Sequence, residues 1–428
     1  MYALIDCNNF FVSCERLFRP ELETKPVAVL SNNDGCFISR SQEAKDIGLP
    51  MGAPLFKWKN EVNVYGVTLF SANFELYGDI SERIVTLLRE VTPLIEVYSI
   101  DECFLDISRL GILHYEAWAT SVKNRIWGEI GIPVSVGIGP TKTLAKIAST
   151  YAKKHGGVYA VTDDAHREQL LRELPIEDIW GVGWRMAPKL RDKGISMAWQ
   201  LVGASDAWLR QQFNITGMKM IDELRGTPRI QFGDVHDQRK SIMRSRMFGH
   251  KVRAYHMLES AVATFAAQAA VRLRAQDSLA RRIMVFLSAN KHSKDARRVY
   301  LSTTVTLAEA SADTARIMTA ALNGLKQIYD DQFAYQKTGV VLLDIVDREV
   351  WQLSMLADEP RRDERLGLMN SVDKLNKKYG HVVYQASEKM STDTWRSKRE
   401  RRSPRYTTQW SELPGIKAKF SKKPDSIL

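Results

Sequence analysis

The sequence predicts an α+β multidomain protein. Three observations carry that expectation. Short strands and helices alternate up to about residue 153, the character turns helical from about residue 161, and a β-α-β-β-α-β order follows residue 238. At roughly 150 residues per domain, 428 residues correspond to about three domains.

Taken in order, residues 2–6 read as a short buried strand ending at Asp6. Val27 to Leu30 and Phe37-Ile38 are further strands, with Asn32-Asn33-Asp34-Gly35 as the turn between them. Residues 40–47 have helical character and stop at Gly48. Ile95 to Leu105 reads as extended chain broken at Ser99-Ile100-Asp101-Glu102. A helix over 116–130, a strand from Pro133 to Ile138 and a helix from Thr141 to Lys153 complete an expected core around one sheet. Ile179-Trp180-Gly181-Val182-Gly183-Trp184 lies between two helical stretches. Beyond 238, a helix places Leu258, Val262, Phe265, Ala269 and Leu273 on one face, residues 281–289 and 299–306 form paired strands, and 336–345 a closing one. After residue 346 periodicity weakens into an extension, and no internal repeat is visible.

An apolar fraction of 44% excludes wholesale disorder, and no apolar run reaches the roughly 18 residues that span a bilayer. The start, Met1 to Asp6, has no basic n-region and is not expected to be a signal peptide. Cys7, Cys14, Cys36 and Cys103 lack zinc-ligand spacing and are expected as reduced core thiols. The net charge of +11 is segregated: residues 238–300 hold 14 Lys/Arg against 3 Asp/Glu, and residues 396–428 hold 10 against 3. Such segregation is the footprint of a polyanion partner, because each neutralised phosphate releases counterions. It is equally the composition of a solvated surface with a basic tail.

Asp6 ends a strand, and Asp101 and Glu102 sit at a break. Adjacent strand residues point to opposite faces, so all three can converge only if the chain bends there. Clustered carboxylates repel unless they share cations, and hard oxygen ligands favour Mg²⁺. Two such ions about 4 Å apart serve phosphoryl transfer. Single acidic residues at strand ends are otherwise simply solvated.

The surrounding motifs narrow the choice. Asp6-Cys7-Asn8-Asn9-Phe10-Phe11, Tyr98-Ser99-Ile100-Asp101-Glu102-Cys103-Phe104 and Val136-Gly137-Ile138-Gly139-Pro140-Thr141-Lys142-Thr143-Leu144-Ala145-Lys146 together resemble the Y-family DNA polymerases, in order through about residue 345. Ser31-Asn32-Asn33-Asp34-Gly35-Cys36 and Ser403-Pro404-Arg405-Tyr406-Thr407-Thr408 resemble the UmuC branch. The resemblance implies a right-hand polymerase. It has a ferredoxin-like palm (1–10 and 73–160), small fingers (11–72), a helix-hairpin-helix thumb (161–237), a β-α-β-β-α-β little finger (238–346) and a C-terminal extension (347–428). It implies an error-prone translesion DNA polymerase of the SOS response, cytoplasmic and nucleoid-associated, that transfers dNMP to a primer 3′-OH.

Residue by residue, the resemblance implies that Asp6 and Asp101 bridge two Mg²⁺ ions, that Glu102 binds the one nearer the primer, and that the Cys7 carbonyl ligates the nucleotide-side ion. Phe11 takes the aromatic steric-gate position. Ser39, Gln42, Lys45 and Lys153 match triphosphate contacts, although relatives carry Tyr and Arg where this chain has Gln42 and Lys45; Lys keeps the charge but loses the bidentate fork. Gly181 and Gly183 would let backbone N–H groups approach a DNA phosphate. Lys240, Arg244, Arg246, Arg281, Arg282, Arg297 and Arg298 are phosphate-contact candidates, Arg244 and Arg246 sharing a strand face. Gln352-Leu353-Ser354-Met355-Leu356 resembles a sliding-clamp-binding peptide, anchored by Gln352, Leu353, Met355 and Leu356 without the usual closing aromatic. The UmuC branch further implies a UmuD′-like dimer and a RecA filament as partners beside primer-template DNA and dNTP, and no membrane. The tail residues Tyr406 and Trp410 suit single-stranded DNA, or simply a flexible solvated tail. A nucleotidyl cyclase shares paired carboxylates and two metals but needs neither the hairpin nor the basic second sheet. A catalytically silent DNA-binding scaffold would not need Asp6, Asp101 and Glu102.

Overall fold

The computed structural model of the chain describes residues 1–233, 238–289, 299–348, 362–389 and 395–415. It divides into two units: unit 1 is Met1–Ser31, Gly35–His236 and Arg401–Leu428, and unit 2 is Asn32–Asp34 and Asp237–Glu400. Among the described residues, no helix is long and apolar enough to cross a membrane.

Unit 1 holds two sheets rather than the one expected. Five strands order as β5(Ile95–Val97)-β6(Glu102–Asp106)-β1(Tyr2–Cys7)-β7(Val134–Gly139)-β8(Val158–Ala160). Three more, β3(Phe37–Arg40)-β2(Val27–Leu30)-β4(Thr68–Ser71), form a separate sheet. The separation follows from two cores. Ala28, Leu30, Phe37, Leu49, Val62 and Val67 pack together under the short helices α2(Gln42–Asp46) and α3(Lys59–Val64). Ile5, Phe10, Tyr77, Ile84, Leu88 and Val136 pack together between the larger sheet, α1(Phe10–Phe18), α4(Phe74–Val91) and α5(Tyr115–Ile130). The sequence reading placed no element over 74–91. Yet Leu76, Ile80, Ile84, Leu87 and Leu88 recur at helical spacing and are buried, and Asn73 caps the helix by accepting from the Leu76 N–H.

The other side of the larger sheet carries α6(Lys142–Ala152), capped by Thr141, whose hydroxyl accepts from the Leu144 N–H at 3.2 Å. It lies against β7 at Gly137, where an added Cβ would sit 2.0 Å from the Ser149 nitrogen and 2.3 Å from the Ala145 carbonyl oxygen. At the start of α6, Lys142 is buried and donates to Glu96 at 2.5 Å and to the Gln231 carbonyl at 2.7 Å. A third core, including Leu170, Ile176, Leu190, Leu201 and Ile221, joins the helices α7(Asp164–Glu173), α8(Met186–Arg191), α9(Ala198–Gly203), α10(Asp206–Gln212) and α11(Ile215–Leu224).

Unit 2 realises the expected order: β9(Ile242–Val252), α12(Tyr255–Ala275), β10(Ser278–Ala289), β11(Tyr300–Ser311), α13(Thr314–Ile328) and β12(Tyr335–Asp347). Its antiparallel sheet runs β11-β10-β12-β9. Leu258, Val262, Phe265, Ala269 and Leu273 are all buried in its core, as the helical spacing predicts. A further helix, α14(Arg362–Tyr379), falls in the extension; its Asp373 takes both N–H arms of the buried Arg274 at 2.7 and 2.8 Å.

Candidate active site

β1 runs between β6 and β7, so Asp6 stands opposite Glu102 on one side and Ser135 on the other. The bend that convergence requires is present. The N–H groups of Tyr98 and Ser99 both donate to the Glu102 carbonyl at 3.1 Å, and the Cys7 N–H donates to the Asp101 carbonyl at 2.9 Å. Asp101 therefore lies just before β6, against the end of β1, where the Ser99 hydroxyl donates to its Oδ1 at 2.5 Å. The Cys7 side chain points into the core, and burial pushes its thiol well up. All four cysteines are unpaired thiols, and Cys7, Cys14 and Cys103 are buried.

Two lysines of the helical segment above the sheet face these carboxylates. Lys153, just past the last residue of α6, donates to Asp6 Oδ2 at 2.8 Å, and Lys146 reaches both Glu102 oxygens at 2.7 and 2.8 Å. They are seven residues apart, hence two turns along one face. Lys146 also lies 4.7 Å from the centre of the Tyr98 ring. Burial pushes the Asp6 carboxyl up to about 6; Lys153 opposes this, while Glu102 and Asp101 add repulsion. Among the described residues no three His, Cys, Asp or Glu side chains are grouped closely enough to hold a metal ion. The donor set nonetheless suits a hard divalent cation. It is three carboxylates with no soft ligand, in mutual repulsion that a cation relieves, and the Lys153 side chain that meets Asp6 is partly exposed.

Phe11, in the first turn of α1, lies flat on Tyr77 (ring centres 4.6 Å apart, 15° between planes) and edge-on to Phe74 at 5.9 Å. The Ser39 hydroxyl donates to the Asn9 carbonyl at 3.3 Å. Gln42 spends its amide on Asp46 of its own helix at 2.8 Å. Lys45 is partly desolvated, and burial together with the charges of Arg40 and Lys153 holds its ammonium below the ordinary range. Arg40, a cation beside Lys45, and Lys146, on Glu102, stand here without a role in the motifs.

Gly181 has φ +105°, a conformation that needs glycine, and a Cβ there would meet the Met220 sulfur at 3.3 Å. Gly183 faces open space. In unit 2, Arg244 and Arg246 lie on β9 opposite Val340 and Thr338. Arg244 is half-buried, and burial with Arg272, Arg246 and Arg239 lowers its pKa. Arg281 and Arg282 are both exposed although adjacent, because the β10 register shifts between Ala280 and Arg282. Arg282 lies 3.5 Å from Asp344, and Lys240 is exposed. Arg297, Arg298 and the clamp-type peptide Gln352, Leu353, Met355 and Leu356 lie outside the described residues.

One expectation is corrected. Residues 401–413 are not a solvated tail, and Tyr406 is not a free stacking platform: it lies against Phe18 with ring centres 4.4 Å apart. Asn73 donates to Ser403 and Pro404, so buried polar partners from distant sequence hold the segment down. Trp410 remains exposed.

Sequence profiles of known families fit this arrangement. The impB/mucB/samB family matches residues 5–150, its C-terminal domain 239–355, its helix-hairpin-helix motif 164–195, and a domain of unknown function 367–416. Protein UmuC of Salmonella typhimurium is 38% identical over 423 residues, covering 97% of this chain and 100% of the relative. Protein SamB of the same organism is 36% identical over the same shares. DNA polymerase IV of Moorella thermoacetica is 29% identical, covering 89% of this chain and 94% of the relative. Among solved structures, a chimera of the Y-family polymerases Dbh and Dpo4 superposes with a TM-score of 0.62 at 22% identity, covering 81% of this chain and 99% of that one, a likeness of fold. From profile, full-length relatives and fold together, the chain belongs to the impB/mucB/samB family, the UmuC-type branch of the Y-family translesion DNA polymerases.

Proposed function

We propose that the chain is the catalytic subunit of an error-prone translesion polymerase that adds dNMP to a primer 3′-OH opposite damaged template bases. The observation that carries this reading is the carboxylate row: Asp6 beside Glu102, with Asp101 folded against β1. Asp6, Asp101, Glu102 and the Cys7 carbonyl would hold two Mg²⁺ ions. When bound, such ions activate the attacking oxygen and neutralise charge on the leaving pyrophosphate. Lys153, which meets Asp6, and Lys45, which feels the charges of Lys153 and Arg40, would receive the triphosphate, with Ser39 and Gln42 as polar neighbours. Phe11 would lie beneath the sugar and leave no room for a 2′-hydroxyl. Small fingers (11–72) would enclose the nascent pair loosely, which supports tolerance of distorted templates. The palm would be 1–10 with 73–160, the thumb 161–237, the little finger 238–346 and the extension 347–428.

Primer-template DNA would be gripped through its phosphates by Gly181, Gly183, Lys240, Arg244, Arg246, Arg281 and Arg282, without reading sequence. A sliding clamp would take Gln352, Leu353, Met355 and Leu356, and a UmuD′-like dimer and a RecA filament would engage the extension, at the nucleoid in the cytoplasm; the UmuC relatives support these partners. The test is primer extension with Mg²⁺ on intact and abasic templates. Asp101→Asn is expected to abolish incorporation while primer-template affinity stays within about twofold; extension at the wild-type rate refutes the site. Cyclic nucleotide formation without a template would instead favour a cyclase.

A further inference from the structure

Ser403 stands at one end of a chain of contacts, two hydrogen bonds and one ring stack, whose other end is the ring of Phe11. Residues 401–413 lie along unit 1 as a strap. The strap is stitched first to the end of β4: the Ser71 N–H donates to the Arg401 carbonyl at 3.0 Å, and the Arg401 N–H donates to the Ser71 hydroxyl at 2.9 Å. Asn73, which caps α4, then donates to the Ser403 hydroxyl at 2.9 Å and to the carbonyls of Ser403 and Pro404 at 3.1 Å each. Beyond them Tyr406 stacks on Phe18, and Arg405 closes on Glu412 at 3.0 Å.

Ser403 accepts from Asn73 and donates its own proton to Glu15 Oε1 at 3.0 Å. The Tyr77 hydroxyl donates to that same oxygen at 2.6 Å, and the Tyr77 ring carries Phe11 on its face at 4.6 Å. Glu15 and Tyr77 are fully buried and Ser403 nearly so. A carboxylate inside an apolar core is a poor way to add stability, because its desolvation costs more than neutral hydroxyl donors return. The other Glu15 oxygen has no hydrogen-bond partner among the described residues. What the arrangement does supply is direction. Two donors converge on one oxygen, so the Tyr77 hydroxyl is pinned; a phenol O–H lies in the plane of its ring, so the pinned O–H favours one ring plane, and Phe11 stacks on that plane. One of those two donors arrives from 388 residues away along the chain.

We propose that the 401–413 strap positions the sugar gate: Ser403, acting through Glu15 and Tyr77, holds Phe11 at the tilt that excludes a 2′-hydroxyl, so this segment sets sugar selectivity. The proposal rests on the reading of Phe11 as the gate. Ser403, Glu15 and Tyr77 are positioning residues that act on the nucleotide only through the Phe11 ring.

The test uses the full chain in single-nucleotide insertion, comparing kcat/KM for a ribonucleotide and its matched deoxyribonucleotide, with a thermal midpoint for every variant. Loss of a hydrogen bond to a charged group predicts that Ser403→Ala raises the ribo-to-deoxy ratio about tenfold, chiefly through a lower ribonucleotide KM. Ser403→Thr keeps the hydroxyl and returns the ratio to the wild-type value. Tyr77→Phe keeps the ring, loses only its hydroxyl and shifts the ratio the same way; it carries the test if Ser403→Ala does not fold. Phe11→Ala raises the ratio further, and adding Ser403→Ala to it changes nothing more, because the two act through one ring. A merely structural strap would slow both nucleotides alike and leave the ratio untouched. If Ser403→Ala and Tyr77→Phe leave the ratio within about twofold while Phe11→Ala raises it, the strap proposal is overturned and the gate stands. If Phe11→Ala also leaves it unchanged, the gate reading itself falls and takes the strap proposal with it.

Discussion

Replacing Gly137 by alanine puts the coupling between α6 and the carboxylates to a quantitative test. The new Cβ would lie 2.0 Å from the Ser149 nitrogen, 2.3 Å from the Ala145 carbonyl oxygen and 2.6 Å from the Ser149 Cα. All three are backbone atoms, so no side chain can turn aside. A Cβ contact shorter than 3.0 Å is essentially never tolerated, so helix and strand must part by at least the difference, about 1 Å. Overpacking of this kind costs about 1–3 kcal/mol of stability. A functional cost comes with it, because α6 carries Lys146 and leads into Lys153, which contact Glu102 and Asp6 at 2.7–2.8 Å. Misplacing reacting or positioning groups by about 1 Å lowers kcat/KM by about 100-fold. The assay is single-nucleotide insertion beside urea denaturation. Gly128→Ala is the control: Gly128 lies within α5 with nothing within 4 Å of an added Cβ, and alanine there adds about 0.5–1 kcal/mol of stability. If Gly137→Ala inserts nucleotides within about twofold of wild type and unfolds at the same urea concentration, then α6 does not set the site by close approach, and the reasoning fails.

Arg281→Ala with Arg282→Ala should weaken primer-template binding equally for all sequences and flatten the plot of log affinity against log salt by about 1.8 if each contacts one phosphate; a sequence-selective loss argues against backbone contact. Glu96→Gln removes the charge facing the buried Lys142 ammonium and should cost about 3–5 kcal/mol in denaturant unfolding, a loss that no salt concentration restores. Arg405 holds the Glu412 carboxyl at about 2, below its ordinary 4.5, so the stability it adds to the strap is present above about pH 4.5 and fades as the pH falls towards 2. Amide hydrogen exchange over 401–413, corrected for intrinsic rate, should therefore rise on acidification in the wild type and be already raised at neutral pH in Glu412→Gln. Equal protection in both at pH 7 refutes that role.

What could be read from the chain depended on how local the determinants are. The face of α12 was legible because Leu258, Val262, Phe265, Ala269 and Leu273 sit on one helical stripe, and a stripe that buries itself needs no knowledge of its partner. The break at Ser99 to Glu102 was legible as a bend because two adjacent acidic residues cannot otherwise address one neighbour. α4 is equally local: Leu76, Ile80 and Ile84 carry its helical spacing in the sequence itself. The second sheet of unit 1 was not legible, since short strands such as β2 and β4 carry no mark of which sheet they join. The strap lay beyond reach for a sharper reason. Its charge balance describes a tail, while its anchor is Asn73, 330 residues earlier, and no periodicity records such a partnership. Lys146 stood within the quoted motif, but its tie to Glu102 depends on how closely α6 approaches the sheet, which Gly137 decides.

The separation of Asn73 from Ser403 also has a clock in it. Ribosomes emit polypeptide at roughly 5–20 residues per second, so the 330 residues between them take roughly 15–65 s to appear. Once Lys153 has been made, and until Ser403 follows, the nascent protein holds Asp6, Asp101, Glu102, both lysines and the Phe11–Tyr77 stack, but Glu15 has only one of its two donors and Phe18 has no ring laid over it. Translation thus delivers Asp6, Asp101, Glu102 and Lys153 first and the strap last, and a ribosome halted in between leaves Glu15 with a single donor and Phe18 uncovered.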